Sequence, residues 1–264
     1  MSENLLAVIL GIVQGLTEFL PVSSSGHIEI AKYFFGTDLG AEESILLTVV
    51  LHFGTAMSTV VVFWKDIGKL LRGLFEFKNN EHSRFTLAII ISMIPATAAA
   101  LLMESQIEMM FSGEIILVAY MLIVTGLLLI LADKTKPTAT KVTNNNAFLV
   151  GIAQALAIAP GISRSGATIA TSVILNIDRE QAARFSFLMV VPLIVGKMIL
   201  DLSSGSIADS ETGWLALVLG FFVAFITGML ACKWMIILVK NAKLRYFSFY
   251  CFAVAIFLFV LEMI

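Results

Sequence analysis

The sequence predicts an all-α integral membrane protein: six transmembrane helices plus two re-entrant helical hairpins, arranged as an inverted-topology repeat. Three observations carry the prediction. The 264 residues are 59% hydrophobic and only 14% charged, with a mean hydropathy of +0.96, a balance foreign to soluble domains. Two stretches, residues 11–26 and 151–166, align without a gap and share Gly11/Gly151, Ile12/Ile152, Gln14/Gln154, Leu16/Leu156, Ser23/Ser163, Ser25/Ser165 and Gly26/Gly166. The basic residues, finally, gather in alternate connections between the apolar runs.

The first element, about 5–33, is apolar but broken at Pro21-Val-Ser-Ser-Ser-Gly26. Each arm is about 14 to 16 residues, short of the roughly 20 needed to cross a hydrocarbon core upright. Polar backbone at membrane depth is tolerated only inside protein or beside a water-filled cavity, so this stretch reads as a re-entrant hairpin. Spans follow at about 45–63, 86–103 and 115–132. A second broken stretch, about 147–176, turns at Pro160-Gly-Ile-Ser-Arg-Ser-Gly166, and spans at about 185–200, 214–232 and 247–263 complete the chain. The whole forms one membrane domain, 1–264, with repeat halves of about 1–135 and 145–264. Each half has one hairpin and three spans, an odd number, so the halves should run in opposite directions, with a site where the broken segments meet.

Charge tests this arrangement. The connections 64–85, 133–146, 177–184 and 233–246 hold 14 of the 17 Lys and Arg residues, while 36–44, 104–114 and 201–213 hold none. The positive-inside rule puts the basic side in the cytoplasm and both termini on the outside. A fully spanning hairpin would break this parity. Uninterrupted Leu, Ile, Val and Phe runs exclude the alternating pattern of a β-barrel. No basic cluster suggests nucleic acid, and the first thirteen residues lack the positive charge of a cleavable signal. Cys232 and Cys251 both lie in apolar runs, so no disulfide framework is expected.

Three residues outside the basic connections are cationic, and one, Arg164, lies in the second break. A guanidinium at membrane depth costs at least about 2.5–3.5 kcal/mol, so it is normally paired or set in a hydrated cavity. Surrounded by Ser163, Ser165, Gly166 and Thr168 at a restarting helix, it has the makings of a phosphate cradle. The plainer alternative is an ion pair with Glu18 that pins the hairpins together; the two readings are compatible before substrate arrives. Glu18 lies four residues after Gln14, on a face with Gly11 and Gly15. Its position in the second half is Ile158, so the carboxylate belongs to one half alone. Glu18 and Gln14 could hold a divalent cation against phosphate oxygens, or orient a base; a packing stripe is the alternative for Gln14. His27 follows Ser23, Ser24, Ser25 and Gly26, raw material for nucleophilic or general acid–base chemistry, or simply a capped turn. His52 reads as a residue of a span.

The run Gln14-x-x-x-Glu18, then Pro21-Val-Ser-Ser-Ser-Gly-His27, and later Pro160-Gly-Ile-Ser-Arg-Ser-Gly-Ala-Thr168, resembles the two signature motifs of the undecaprenyl-pyrophosphate phosphatases of the bacitracin-resistance type. The likeness covers the whole chain. It implies hydrolysis of undecaprenyl pyrophosphate to the monophosphate carrier in the bacterial inner membrane, at a site reached from the periplasm. It also implies a divalent cation, magnesium or calcium, as cofactor, and keeps a homodimer among the expected partners beside the lipid substrate and the bilayer. The family motif allows Glu or Gln where Gln14 stands, which weakens Gln14 as a metal ligand. Carried onto this sequence, Glu18, Ser24, His27 and Arg164 become the catalytic group: Ser24 the nucleophile, His27 its base or the leaving-group acid, Glu18 orienting His27 or the metal. Ser23, Ser25, Gly26, Ser163, Ser165, Gly166 and Thr168 become phosphate contacts. Attack by His27 or by water stays open, as does a polyprenyl-phosphate flippase built on the same site, since broken helices in inverted repeats also serve transport.

Overall fold

In the computed structural model, residues 2–35, 41–75, 80–110, 115–136, 138–203, 213–241 and 243–263 are described. They form helices α1 (Glu3–Phe19), α2 (Ser24–Phe35), α3 (Ala41–Val62), α4 (Trp64–Phe75), α5 (Glu81–Leu102), α6 (Glu104–Met110), α7 (Ile115–Lys134), α8 (Asn144–Leu156), α9 (Arg164–Ile174), α10 (Arg179–Ser203), α11 (Trp214–Lys240) and α12 (Leu244–Glu262). Among the described residues the only β-type pairing is a single bridge between Thr140 and Ile177.

α5, α7, α11 and α12 are each long and apolar enough to cross a membrane. A fifth crossing is available if α3 and α4 are taken together, although they meet at a bend of 78°. Leu101, Leu131, Leu230 and Ile256 are exposed on these rods, as side chains facing lipid must be. The protein is therefore a multi-pass membrane protein. The bend at Phe63 departs from the sequence reading, which left 64–85 as a connection. Lys65, Asp66, Lys69 and Arg72 interleave with Trp64, Ile67, Leu70 and Leu71 at helical spacing, so α4 is an amphipathic helix that turns away from α3.

Small residues decide how the rods pack. α1 lies against α11, and a Cβ on Gly11 would come within 2.9 Å of the Gly220 carbonyl; one on Gly15 would strike Thr227. α8 lies against α5 in the same manner, with Gly151 on the Ser92 carbonyl. α7 packs on α12, and α3 on both α11 and α10. The larger core joins Phe19, Phe185, Phe187, Leu122, Leu129 and Ile169, with Phe19 and Phe187 edge to face at 5.4 Å. Helices α1 and α2, and again α8 and α9, meet at two proline-containing turns buried beside this core.

Candidate active site

The two turns are built alike. In the second, the Ser163 hydroxyl accepts from the Gly166 N–H at 3.0 Å and sits 3.2 Å from the Ser165 hydroxyl. This caps α9, so the helix restarts with Arg164 at its first position. In the first, the Ser23 hydroxyl accepts from the Gly26 N–H at 3.2 Å and sits 3.3 Å from the Ser25 hydroxyl, and α2 restarts with Ser24. The turns also touch: the Ser165 hydroxyl donates to the Leu20 carbonyl at 3.1 Å, a Cβ on Gly26 would lie 3.1 Å from Gly161 Cα, and one on Gly166 would lie 3.2 Å from Pro21. Their backbones differ. Ser23 carries the left-handed φ of 73° in the first turn; Gly161 carries 96° in the second.

Across this contact Arg164 Nη2 donates to Glu18 Oε1, and Arg164 Nη1 donates to the Ser186 carbonyl at 3.3 Å. Both members are sheltered, the Arg164 side chain 16% exposed and Glu18 7%. A buried pair of this kind is costly unless the remaining lone pairs are satisfied, and here they are. Glu18 Oε2 accepts from Ser24 Oγ at 2.8 Å and from Gln14 Nε2 at 3.0 Å. Gln14, fully buried one turn back on α1, also donates to Thr55 Oγ1 at 3.4 Å, while its Oε1 has no partner.

The structure thus gathers Gln14, Glu18, Ser24 and Arg164. His27 is placed differently. Its Nδ1 bonds the Ser23 carbonyl at 2.7 Å, which makes Nδ1 the donor, so Nε2 accepts from the Tyr250 hydroxyl at 2.7 Å. Ser23, Ser163, Ser165 and Thr168 are buried and bonded to the turns themselves; Thr168 Oγ1 meets Ser186 Oγ at 2.6 Å. Ser24 and Ser25 are half-buried, so Ser24 is the hydroxyl both aimed at Glu18 and open.

Sequence reasoning missed two contributors. His52 on α3 brings Nε2 to 3.8 Å from Glu18 Oε2, and Thr125 on α7 holds the second turn by accepting from the Ser163 N–H at 3.0 Å and donating to the Gly161 carbonyl at 3.1 Å. Neither lies in a motif; a histidine in an otherwise apolar span was the one signal available.

For a divalent cation, no group of three or more His, Cys, Asp or Glu stands together among the described residues. The described residues thus form no protein-made cage. What exists is one carboxylate and the unpartnered, buried Gln14 Oε1, which fits a cation held mostly by phosphate oxygens.

The model of a family described as bacitracin resistance protein BacA matches residues 7–257. The chain is 57% identical to an undecaprenyl-diphosphatase of Christiangramia forsetii over 95% of both chains. It is 43% identical to one of Bacteroides fragilis over 95% of both, and 37% identical to one of Methanobrevibacter smithii over 96% of both.

Proposed function

The chain belongs to the bacitracin resistance protein BacA family, and from that membership we infer that it removes the terminal phosphate of undecaprenyl pyrophosphate, leaving undecaprenyl phosphate. The observation that carries the activity is the 57% identity over 95% of both chains; a flippase reading has no comparable support. The lipid product is the carrier reused in cell-wall synthesis, so the reaction recycles it.

The geometry supports the following roles for the site residues. Arg164 and the N-terminal end of α9 face the diphosphate, whose several negative charges need neutralising more than its bonds need chemical help. Ser24 Oγ, already donating to Glu18 Oε2, attacks the terminal phosphorus. The bond from that phosphorus to the bridging oxygen breaks, undecaprenyl phosphate departs with the oxygen, and the hydroxyl proton passes to Glu18. Water then hydrolyses the phosphoserine. His27, with both ring nitrogens engaged by Ser23 and Tyr250, braces the first turn and leaves the task of base to Glu18. Ser23, Gly26, Ser163, Ser165, Gly166 and Thr168 set the turns, while the half-buried Ser25 sits where a phosphate oxygen would pass. Magnesium or calcium would be held by phosphate oxygens with Glu18 and Gln14 Oε1, and would supply charge neutralisation there.

The arrangement in the bilayer is six spans and two re-entrant pairs, α1–α2 and α8–α9, in an inverted repeat. Two sets of contacts support it. α1 packs on α11 as α8 packs on α5, the exchange expected of two halves related by a two-fold axis. The four basic connections are laced together: Arg184 to Asp66 at 2.7 Å, Lys141 to Glu81 at 3.0 Å, Lys240 to Glu180 at 2.9 Å and Arg245 to Asp133 at 3.9 Å. Each pair joins two of those connections, so all four lie on one face, cytoplasmic by the positive-inside rule. Both termini and the mouth of the site then face the periplasm across the inner membrane. A homodimer is the oligomeric expectation.

Detergent-purified protein should release phosphate from undecaprenyl pyrophosphate, and a chelator should suppress the release. Absence of turnover in well-folded protein would refute the activity.

A further inference from the structure

We propose that the seam between α2 and α12 is where the polyprenyl tail of the substrate leaves the site for the bilayer, lying on the rings of Tyr250, Phe34 and Phe257. The inference rests on the reading of undecaprenyl pyrophosphate as substrate, with its diphosphate between Ser24 and Arg164. A diphosphate held there is tethered to a chain that avoids water, so one wall of the site must admit apolar chain from the side.

The other walls are closed at the level of the backbone. α1 lies on α11 through Gly11 and Gly15, where an added Cβ would collide. In the second half α9 lies against α7, and Thr125 of α7 is bonded to both Gly161 and Ser163. One side of α2 is closed too, for Ala31 clusters with Leu6 and Leu10 of α1 and with Leu47 and Leu51 of α3.

The side of α2 that meets α12 is different. α12 reaches the first turn, where Cys251 Sγ donates to the Pro21 carbonyl at 3.7 Å. From there outward the described contacts are ring on ring. His27 stacks on Tyr250 with centroids 5.6 Å apart and planes at 12°, and Phe34 stacks on Phe257 at 6.0 Å and 24°. The second pair lies seven residues beyond the first on both helices, so α2 and α12 run parallel and the two rungs stand about 10 Å apart. Tyr250, Phe34 and Phe257 are each about half exposed. The first rung begins three residues after Ser24, so the seam is continuous with the site. Side chains that close a seam can part by rotation, whereas backbones in contact cannot. The flat double bonds and methyl groups of an isoprenoid suit the faces of aromatic rings.

The test uses the unaltered detergent-purified protein and an undecaprenyl pyrophosphate analogue bearing a benzophenone on its third isoprene unit. After irradiation and digestion, mass spectrometry should find the label on α2 or α12 near Phe34 or Phe257, and excess undecaprenyl pyrophosphate should abolish it. Label confined to other helices, label that persists under competition, or no label would each overturn the proposal. Kinetics give a second reading. Phe34→Ser combined with Phe257→Ser should raise KM for undecaprenyl pyrophosphate about ten-fold, the scale of two lost aromatic contacts, with kcat within about two-fold of wild type. Phe34→Leu combined with Phe257→Leu, which keeps apolar bulk, should raise it about three-fold. Phe222→Ser removes a ring of similar exposure from α11 and should leave KM unchanged. Wild-type KM in the serine pair, or an equal rise in Phe222→Ser, would remove the assignment. Labelling of the seam without any phosphate release would instead remove the phosphatase reading and leave the tail where it is placed.

Discussion

The turn of the first half and the turn of the second share a frame and differ in cargo. Ser23, Ser25 and Gly26 make the same bonds as Ser163, Ser165 and Gly166. At the position after the capping serine one half has Ser24 and the other Arg164; Glu18 faces Ile158, and His27 faces Ala167. The two halves thus hold sockets alike in hydrogen bonding, each ending at a helix N-terminus, and Ser24, Glu18 and Arg164 are divided between them. A diphosphate has two ends with different needs, one to be attacked and one to be held. The division of the Ser24 hydroxyl and the Glu18 carboxylate from the Arg164 guanidinium matches that asymmetry.

The largest effect should come from erasing the difference. Arg164→Ala, which makes the second socket as neutral as a bare turn, should lower kcat/KM for undecaprenyl pyrophosphate about 1,000-fold, the scale of losing a preorganised donor to transition-state charge. Arg164→Lys should recover little of it, because a point charge does not reproduce the planar fork that reaches Glu18 and the Ser186 carbonyl together. Phosphate release, with protein checked by size exclusion, measures both; activity near wild type in either would assign the charge elsewhere. Glu18→Ala should match Arg164→Ala. Removing both should cost little beyond either alone, as residues acting as a unit do.

How much of this was legible in the sequence follows from where the information sat. The frame was legible because it repeats: seven shared residues, a proline in each copy and hydroxyls at matching places. The meeting of Arg164 with Glu18 was legible because two charges at membrane depth must find each other. The ion pairs that link the basic connections join charges the sequence displays, but their pairing comes only from the packing of the helices. The imidazole was harder. The serine-rich run drew attention to His27, but its nitrogens go to Ser23 and to Tyr250, 223 residues away, a partner no local pattern announces. His52 and Thr55 reach Gln14 and Glu18 only through the packing of α3 on α1, set by small residues and not by a motif. The bend between α3 and α4 was hidden because an apolar span that ends in Phe63-Trp64 reads the same whether the chain leaves straight or at 78°.

A second way to probe the comparison is the backbone. Gly161 adopts a φ of 96°, and a Cβ there would lie 2.6 Å from the Val118 carbonyl and 2.7 Å from Met121 Cβ. Gly161→Ala therefore meets both a conformational penalty and a collision with helix backbone, together about 3 kcal/mol. A drop of several degrees in the melting temperature of the detergent-solubilised protein is expected. Unchanged melting would mean that the second turn relaxes freely, and that its frame is not held by Thr125.

The smallest effect separates the two capping serines. Ser23→Gly and Ser163→Gly each remove a hydroxyl that accepts from a buried N–H, of Gly26 in one case and Gly166 in the other, and each breaks one serine–serine contact. Those losses are alike and cancel in the difference between the variants. What does not cancel is φ: Ser23 is left-handed at 73°, whereas Ser163 is extended at −73°. Glycine relieves the first and gains nothing at the second, a gap of about 1 kcal/mol. Ser23→Gly should therefore melt higher than Ser163→Gly by a few degrees. Equal melting would show that the first turn carries its left-handed serine without strain, and the two frames would then be alike in energy as well as in hydrogen bonding.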